Sequence, residues 1–243
     1  MTRIHLALPL AVDARLELPE AAARHVAQVL RMRAGELLTL FNGAGGEYGA
    51  VIESVDRRAV SVRVEDFHEA ERESALALTL AQCVSRGERM DYSLQKAVEL
   101  GVAAVVPLLS ARGVVKLDGE RWEKKLEHWR GVMVSACEQS GRTRIPALAP
   151  VQKLETWLGS SKGMGEGARL VLAPGAAHSL RELPAAHAAT LLVGPEGGLA
   201  DEEAALAVRH GFTAIRLGPR VLRTETAGVA ALAALQALWG DLA

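Results

Sequence analysis

The chain has 243 residues, 49% hydrophobic and 23% charged, the make-up of an ordinary globular protein with room for one large domain or two smaller ones. Lys and Arg total 28 against 29 Asp and Glu, so any nucleic-acid contact must come from a local cluster of cations and not from an overall basic field. Two cysteines without finger spacing, seven histidines without an HExxH pair and no apolar run near the roughly 20 residues of a membrane helix argue against a disulfide framework, a metal site and a membrane span.

The opening "MTRIHLALPL" has no signal-peptide pattern, and the expected compartment is the cytoplasm. Up to about Glu65 the chain reads as short strands around turns, with one helical segment near Ala21 to Leu30. Strand-like runs fall at Leu37–Phe41, Tyr48–Val55 and Ala59–Val64, and "NGAGG" from Asn42 to Gly46 supplies turn chemistry between the first two. That pattern predicts a small β-barrel or curled sheet. The charged "HEAERESALA" then marks a boundary near residue 72, giving domains 1–72 and 73–243.

Beyond it strands alternate with helices. "ALTLAQCV" reads as a strand, "RMDYSLQKAVELGV" as a helix stopped by Gly101, and "AAVVPLL" as a strand again. A longer helix near Gly119 to Ser140 carries Trp122, Leu126, Trp129, Met133 and Ala136 on one stripe. "GSSKGMGEGA", Gly159 to Ala168, reads as a surface loop. "ARLVLAP", "ATLLVG" and "AIRLG" are strands, the last two separated by a helix whose expected N-cap is Asp201, and a last helix runs from about Glu225 to Trp239. This alternation predicts an α/β fold with a mostly parallel sheet.

Ligands of open α/β sheets sit outside the carboxyl ends of the strands, and three such ends here carry glycine or proline: "LAPG" to Gly175, "VGPEGG" to Gly198 and "LGPRVLR" to Arg223. Each turn alone is an ordinary βα connection; three together suggest one crevice. No Lys and Ser/Thr follow Gly198 as a phosphate loop requires, and Glu196 would repel a phosphate. Glycine backbone groups suit a flat hydrogen-bonding group such as adenine, and the carboxylate is compatible with a cation, so S-adenosylmethionine is permitted. In the last turn, Thr224 or Thr226 can cap the following helix and Arg223 can pair with Glu225. A further cluster, "ACEQSGRTRIP", gathers Glu138, Gln139, Arg142 and Arg144 at a helix end. There arginines either offset the helix dipole or meet phosphate and carbonyl oxygens.

"LLVGPEGGLADEE", "LGPRVLRTETA", "QKAVELGV" with "VVPLLSARGVVKL", and "ACEQSGRTRIP" together resemble the RsmE family of 16S ribosomal RNA (uracil-N3)-methyltransferases in the SPOUT superfamily. "RHVAQVLRMRAGELLTLFNGAGGEY" resembles that family's PUA-like RNA-binding domain. The resemblance runs over essentially the whole chain. It implies a trefoil-knotted methyltransferase domain that forms a homodimer and uses S-adenosylmethionine on 16S rRNA, within the assembled small subunit, without a metal. The implied cofactor residues are Leu172, Gly175, Val193, Gly194, Pro195, Glu196, Gly197, Gly198, Leu217, Gly218, Val221, Leu222, Arg223 and Thr226. RNA contacts are expected from Arg24, Arg31, Arg33, Gln139, Arg142, Arg144 and Arg220. Arg142 or Arg223 is the expected donor to the uracil carbonyls, and Glu138 the candidate base. Rival readings are methylation of a ribose oxygen or of guanine, and a non-catalytic RNA-binding module.

Overall fold

The computed structural model describes residues 2–56, 59–115, 117–160 and 167–242. The chain divides into two compact units, one formed by Met1–Glu73 with Val134–Ile145, the other by Ser74–Met133 with Pro146–Ala243.

The first unit is built on a five-stranded sheet. Its strands are β1 (Arg3–His5), β2 (Arg15–Glu17), β3 (Leu37–Phe41), β4 (Glu47–Val55) and β5 (Val60–His68), in the spatial order β1-β3-β4-β5-β2. Only the β1–β3 pair is parallel among those described. In β5, Val60, Val62 and Val64 are buried while the residues between them are not, the period of two that a one-sided sheet demands. Register shifts at Gly49/Ala50 and Ile52/Ser54 bend the β4–β5 ladder, the curvature by which a small sheet wraps its core. Ile4, Leu38, Leu40, Ile52, Val62 and Val26 fill that core. The helix expected near Ala21 starts as α1 (Glu20–Arg24) and continues as a π-helical turn over His25–Val29.

The second unit runs β6 (Ala77–Cys83), α2 (Glu88–Glu99), β7 (Val102–Leu109), α3 (Gly119–Ser140), β8 (Ala147–Leu148), β9 (Gln152–Lys153), α4 (Leu154–Leu158), β10 (Ala168–Leu172), β11 (His178–Ser179), β12 (Ala188–Val193), α5 (Asp201–Arg209), β13 (Thr213–Arg216) and α6 (Thr224–Trp239). The last residues of α3, from Val134, fold with the first unit. The second sheet has the order β11-β13-β10-β12-β6-β7-β8, with β9 beside β7, and every pairing described in it is parallel. β12 is buried from Ala189 to Val193, as an inner strand covered on both faces must be.

Helix boundaries follow local chemistry. Met90, Leu94, Ala97 and Val98 form the buried stripe of α2, and Gly101 ends it with φ +76° and an N–H on Val98 O at 3.0 Å. On α3, Trp129, Met133 and Ala136 are buried, whereas Trp122 and Leu126 are half-buried. Residues 161–166 of the expected surface loop lie outside the described residues. Asp201 is the first helical residue of α5 and not its cap; Ala200 holds that position, and its N–H is satisfied by Glu203 Oε2 at 2.9 Å.

Candidate functional site

β13, β10 and β12 are neighbours in the sheet and all run the same way, so the turns after them emerge on one edge. Those three turns line a single cavity of about 610 Å³. Of the residues marked above for cofactor contact, all line it except Arg223 and Thr226, which are both exposed to solvent and stand outside its walls. Val221 is 81% exposed on the rim.

The glycines are required where the chain doubles back. A Cβ on Gly194 would stand 2.8 Å from Leu199 N and 3.1 Å from Gly198 C, both backbone atoms that cannot move aside cheaply. Gly198 has φ +68° and closes the turn with its N–H on Pro195 O at 2.9 Å. The far side of this turn is anchored by a buried polar chain. Gln82 of β6 donates through Nε2 to Thr224 Oγ1 at 3.1 Å, and Thr224 donates in turn to Gly194 O at 2.6 Å. Thr224 therefore ties the start of α6 to the glycine turn; Arg223 occupies the cap position, and no side chain caps the helix.

Glu196 is held by one guanidinium and one backbone amide. Its Oε1 accepts the Arg86 N–H at 2.8 Å and Arg89 Nη1 at 3.1 Å, and Arg89 Nε lies 3.9 Å from Glu225 Oε1. Partial burial alone would raise the Glu196 carboxyl. Hydrogen bonds from the backbone N–H groups of Arg86 and Glu196 and from Arg89 outweigh it and hold the group below the usual carboxylate range. The cavity walls also carry Asp201, Arg112 and Arg220, so both signs of charge are available to a ligand. Arg112 and Gln82 carry no site signal in the sequence, and Thr224 lies within the 217–226 loop implied to bind the cofactor, where its residue type reads as a helix cap. The glycine turn signalled a site but not the distant side chains that hold it.

The cluster at the end of α3 lies in the first unit and is largely engaged there. Arg142 is 4% exposed, with Nε donating to Glu73 Oε1 at 2.9 Å and Nη2 paired with the other Glu73 oxygen. Arg3 donates to Arg142 O at 3.2 Å. Glu138 Oε1 accepts the His5 N–H at 2.9 Å. Arg144 pairs with Glu71 at 3.0 Å and donates to Ala44 O at 2.7 Å, while Gln139 is exposed. Arg24, Arg31 and Arg33 are exposed in the same unit, Arg24 within 3.4 Å of Glu20. Among the described residues no group of His, Cys, Asp or Glu could hold a metal ion, and no helix is long and apolar enough to cross a membrane.

Residues 72–236 match the family model described as an RNA methyltransferase domain, and residues 18–65 match that of the RNA methyltransferase PUA domain. The ribosomal RNA small subunit methyltransferase E of Buchnera aphidicola subsp. Schizaphis graminum is 32% identical over 241 residues, covering 99% of this chain and 97% of that protein. A Neisseria gonorrhoeae ribosomal RNA small subunit methyltransferase E, solved bound to S-adenosyl methionine, superposes with a TM-score of 0.92 at 38% identity and covers 100% of each chain. A Legionella pneumophila protein solved with the bound cofactor SAM superposes with a TM-score of 0.95 at 44% identity over 99% of each chain. The chain belongs to the ribosomal RNA small subunit methyltransferase E family.

Proposed function

We propose that the protein is an S-adenosylmethionine-dependent methyltransferase that modifies N3 of a uridine in 16S ribosomal RNA. The observation that carries this reading is the cavity of about 610 Å³ at three adjacent parallel strand ends, walled by glycine and proline turns. The volume lies within the roughly 300–1,000 Å³ of small-molecule sites. Bare backbone at Gly194, Gly197 and Gly198 suits a planar heterocycle, and the mixed charges of Glu196, Asp201 and Arg220 suit a molecule that carries a sulfonium, an ammonium and a carboxylate.

When bound, that cofactor supplies an already electrophilic methyl group, so the residues of this chain have mainly to align and to polarise. Alignment of this kind is worth about 7–11 kcal/mol of barrier. The N3 proton of uracil must depart, and a donor at a ring carbonyl stabilises the charge left behind. Arg223, exposed next to the rim residues Val221 and Leu222, is our assignment for that donor. Arg142 was the other candidate; its burial against Glu73 supports a structural ion pair instead. Glu138 Oε1 accepts the His5 N–H, which supports a structural role for this carboxylate over that of base.

We further propose an RNA-binding first domain (1–72) and a catalytic, trefoil-knotted second domain (73–243), acting as a cytoplasmic homodimer on the assembled small subunit. Exposed Arg24, Arg31, Arg33 and Arg220, with Gln139 and Arg144, are the proposed RNA contacts. Calorimetry with S-adenosylmethionine, then methyl incorporation into small subunits and into naked 16S rRNA with mass-spectrometric mapping, tests this. One N3-methyluridine, formed better on the subunit, is expected. Absence of binding heat overturns the enzyme reading, and a methylated ribose or guanine overturns the target.

A further inference from the structure

The loop leaving β7, residues 110–112, holds the glycine turn by two separate routes. Arg112 Nη1 donates to Gly197 O at 3.2 Å and to Leu199 O at 3.1 Å. One residue earlier, the Ala111 N–H donates to Glu203 Oε1 at 2.7 Å, while Glu203 Oε2 accepts the Ala200 N–H at 2.9 Å. Glu203 is 5% exposed, so its carboxylate is committed to these two amides. The side chain of Arg112 also lies alongside the turn: a Cβ on Gly197 would sit 3.5 Å from Arg112 Cβ.

This arrangement answers a physical difficulty. Two adjacent glycines have a large conformational space when unrestrained, and a cavity wall made of them keeps one shape only if other groups fix it. Two carbonyls of the turn are fixed by a cation, and the start of α5 is fixed by a buried carboxylate. Both anchors converge on adjacent residues of one loop.

We infer that Arg112 and Glu203 are positioning residues that lock the 197–200 turn in the shape that walls the cavity, so that the cofactor meets a preformed site. The affinity part of this inference rests on the cofactor reading above; the conformational part does not. Amide hydrogen exchange over residues 196–200, S-adenosylmethionine affinity, steady-state kinetics and the thermal midpoint are measured for the full chain and for Arg112→Ala, Arg112→Lys and Glu203→Gln.

Arg112→Ala is expected to speed exchange at 196–200 while leaving β6 and β12 protected. It should weaken cofactor binding roughly ten- to a hundredfold, the loss falling on KM for the cofactor more than on kcat. Arg112→Lys should recover part of the affinity, because an ammonium still reaches the carbonyls without the planar fork. Glu203→Gln should act in the same direction, and the surface position of Arg112 keeps the test decisive if that buried variant misfolds. Unchanged exchange at 196–200 in Arg112→Ala overturns the inference. So does faster exchange throughout the unit with a large drop in midpoint, which marks a general structural role. A fall in kcat with affinity intact also overturns it, because Arg112 would then act on the reacting groups. If the wild-type chain binds no cofactor, the function proposed above fails, and the exchange measurement still decides this one.

Discussion

Replacing Thr224 with valine keeps the shape of the side chain and deletes the hydroxyl that joins Gln82 to Gly194. Thr224 is 7% exposed, and its hydroxyl both donates to Gly194 O at 2.6 Å and accepts from Gln82 Nε2 at 3.1 Å. Gln82 keeps its other amide hydrogen on Cys83 O at 3.0 Å, so two groups lose their partner, the hydrogen of Gln82 Nε2 that had pointed at Thr224 and the Gly194 carbonyl. Each such orphaned group costs about 1–3 kcal/mol, so the pair costs at least about 2 kcal/mol. In a chain of this size about 2 kcal/mol lowers the thermal midpoint by about 4–8 °C. Where the turn relaxes instead of the whole unit, the same energy appears as cofactor affinity, at about 1.4 kcal/mol per tenfold. Thr224→Ser, which keeps the hydroxyl and loses a methyl, should cost about 1 kcal/mol or less. Differential scanning calorimetry and isothermal titration separate these outcomes. If Thr224→Val melts and binds like the wild type, the polar chain through Thr224 does not hold the glycine turn.

Gly194→Ala places a Cβ 2.8 Å from Leu199 N, so the turn must shift; cofactor affinity measured by titration should fall by about tenfold or more while the far-UV spectrum is unchanged. The Glu196 carboxyl is depressed below its ordinary 4.5, so its stabilising contacts are present above that pH and are lost as the pH falls through the folded value. The gap in urea midpoint between wild type and Glu196→Gln should stay constant from neutral pH down to about 5 and close below 4.5; a gap that persists at low pH refutes the ionic contribution. Arg142→Ala leaves Glu73 without its partner and should destabilise the chain by up to the lower end of about 3–5 kcal/mol, because Glu73 keeps 21% of its side chain in solvent. Arg223→Ala, by contrast, should melt at the wild-type temperature and lose turnover by about tenfold or more; full turnover would remove Arg223 from the chemistry.

What could be read in the chain was what short-range physics decides. Gly101 stops α2 because a left-handed residue ends a helix whatever surrounds it, and the turns at Gly175, Gly198 and Gly218 could be marked from their residues alone. β1, β2, β8 and β11 escape such reading because two or three residues carry no periodicity. The order of the second sheet was equally closed to it: Ala188 pairs with Ala77 and Leu170 with Thr213, and nothing local specifies either partner. The same distance hid the supports of the site. Thr224 looked like a helix cap, yet its hydroxyl is spent on Gly194; Arg142 looked available, yet Glu73 holds it from 69 positions away. The residue type of Asp201 points to a cap one position too late, because Glu203 satisfies the Ala200 N–H from inside the helix.

The central place of β10, between β13 and β12, governs when the cavity can come into being during synthesis. β13 completes the sheet on one side of β10, and the turn that follows it, residues 217–222, supplies one wall. A nascent chain that has emerged only as far as α5 already holds two of the three glycine-marked turns but has no enclosed space for a ligand. Pairings this distant in sequence form slowly. Ligand-binding competence should therefore arrive late and abruptly in a series of stalled translation products, only once residues beyond Leu222 have cleared the exit tunnel.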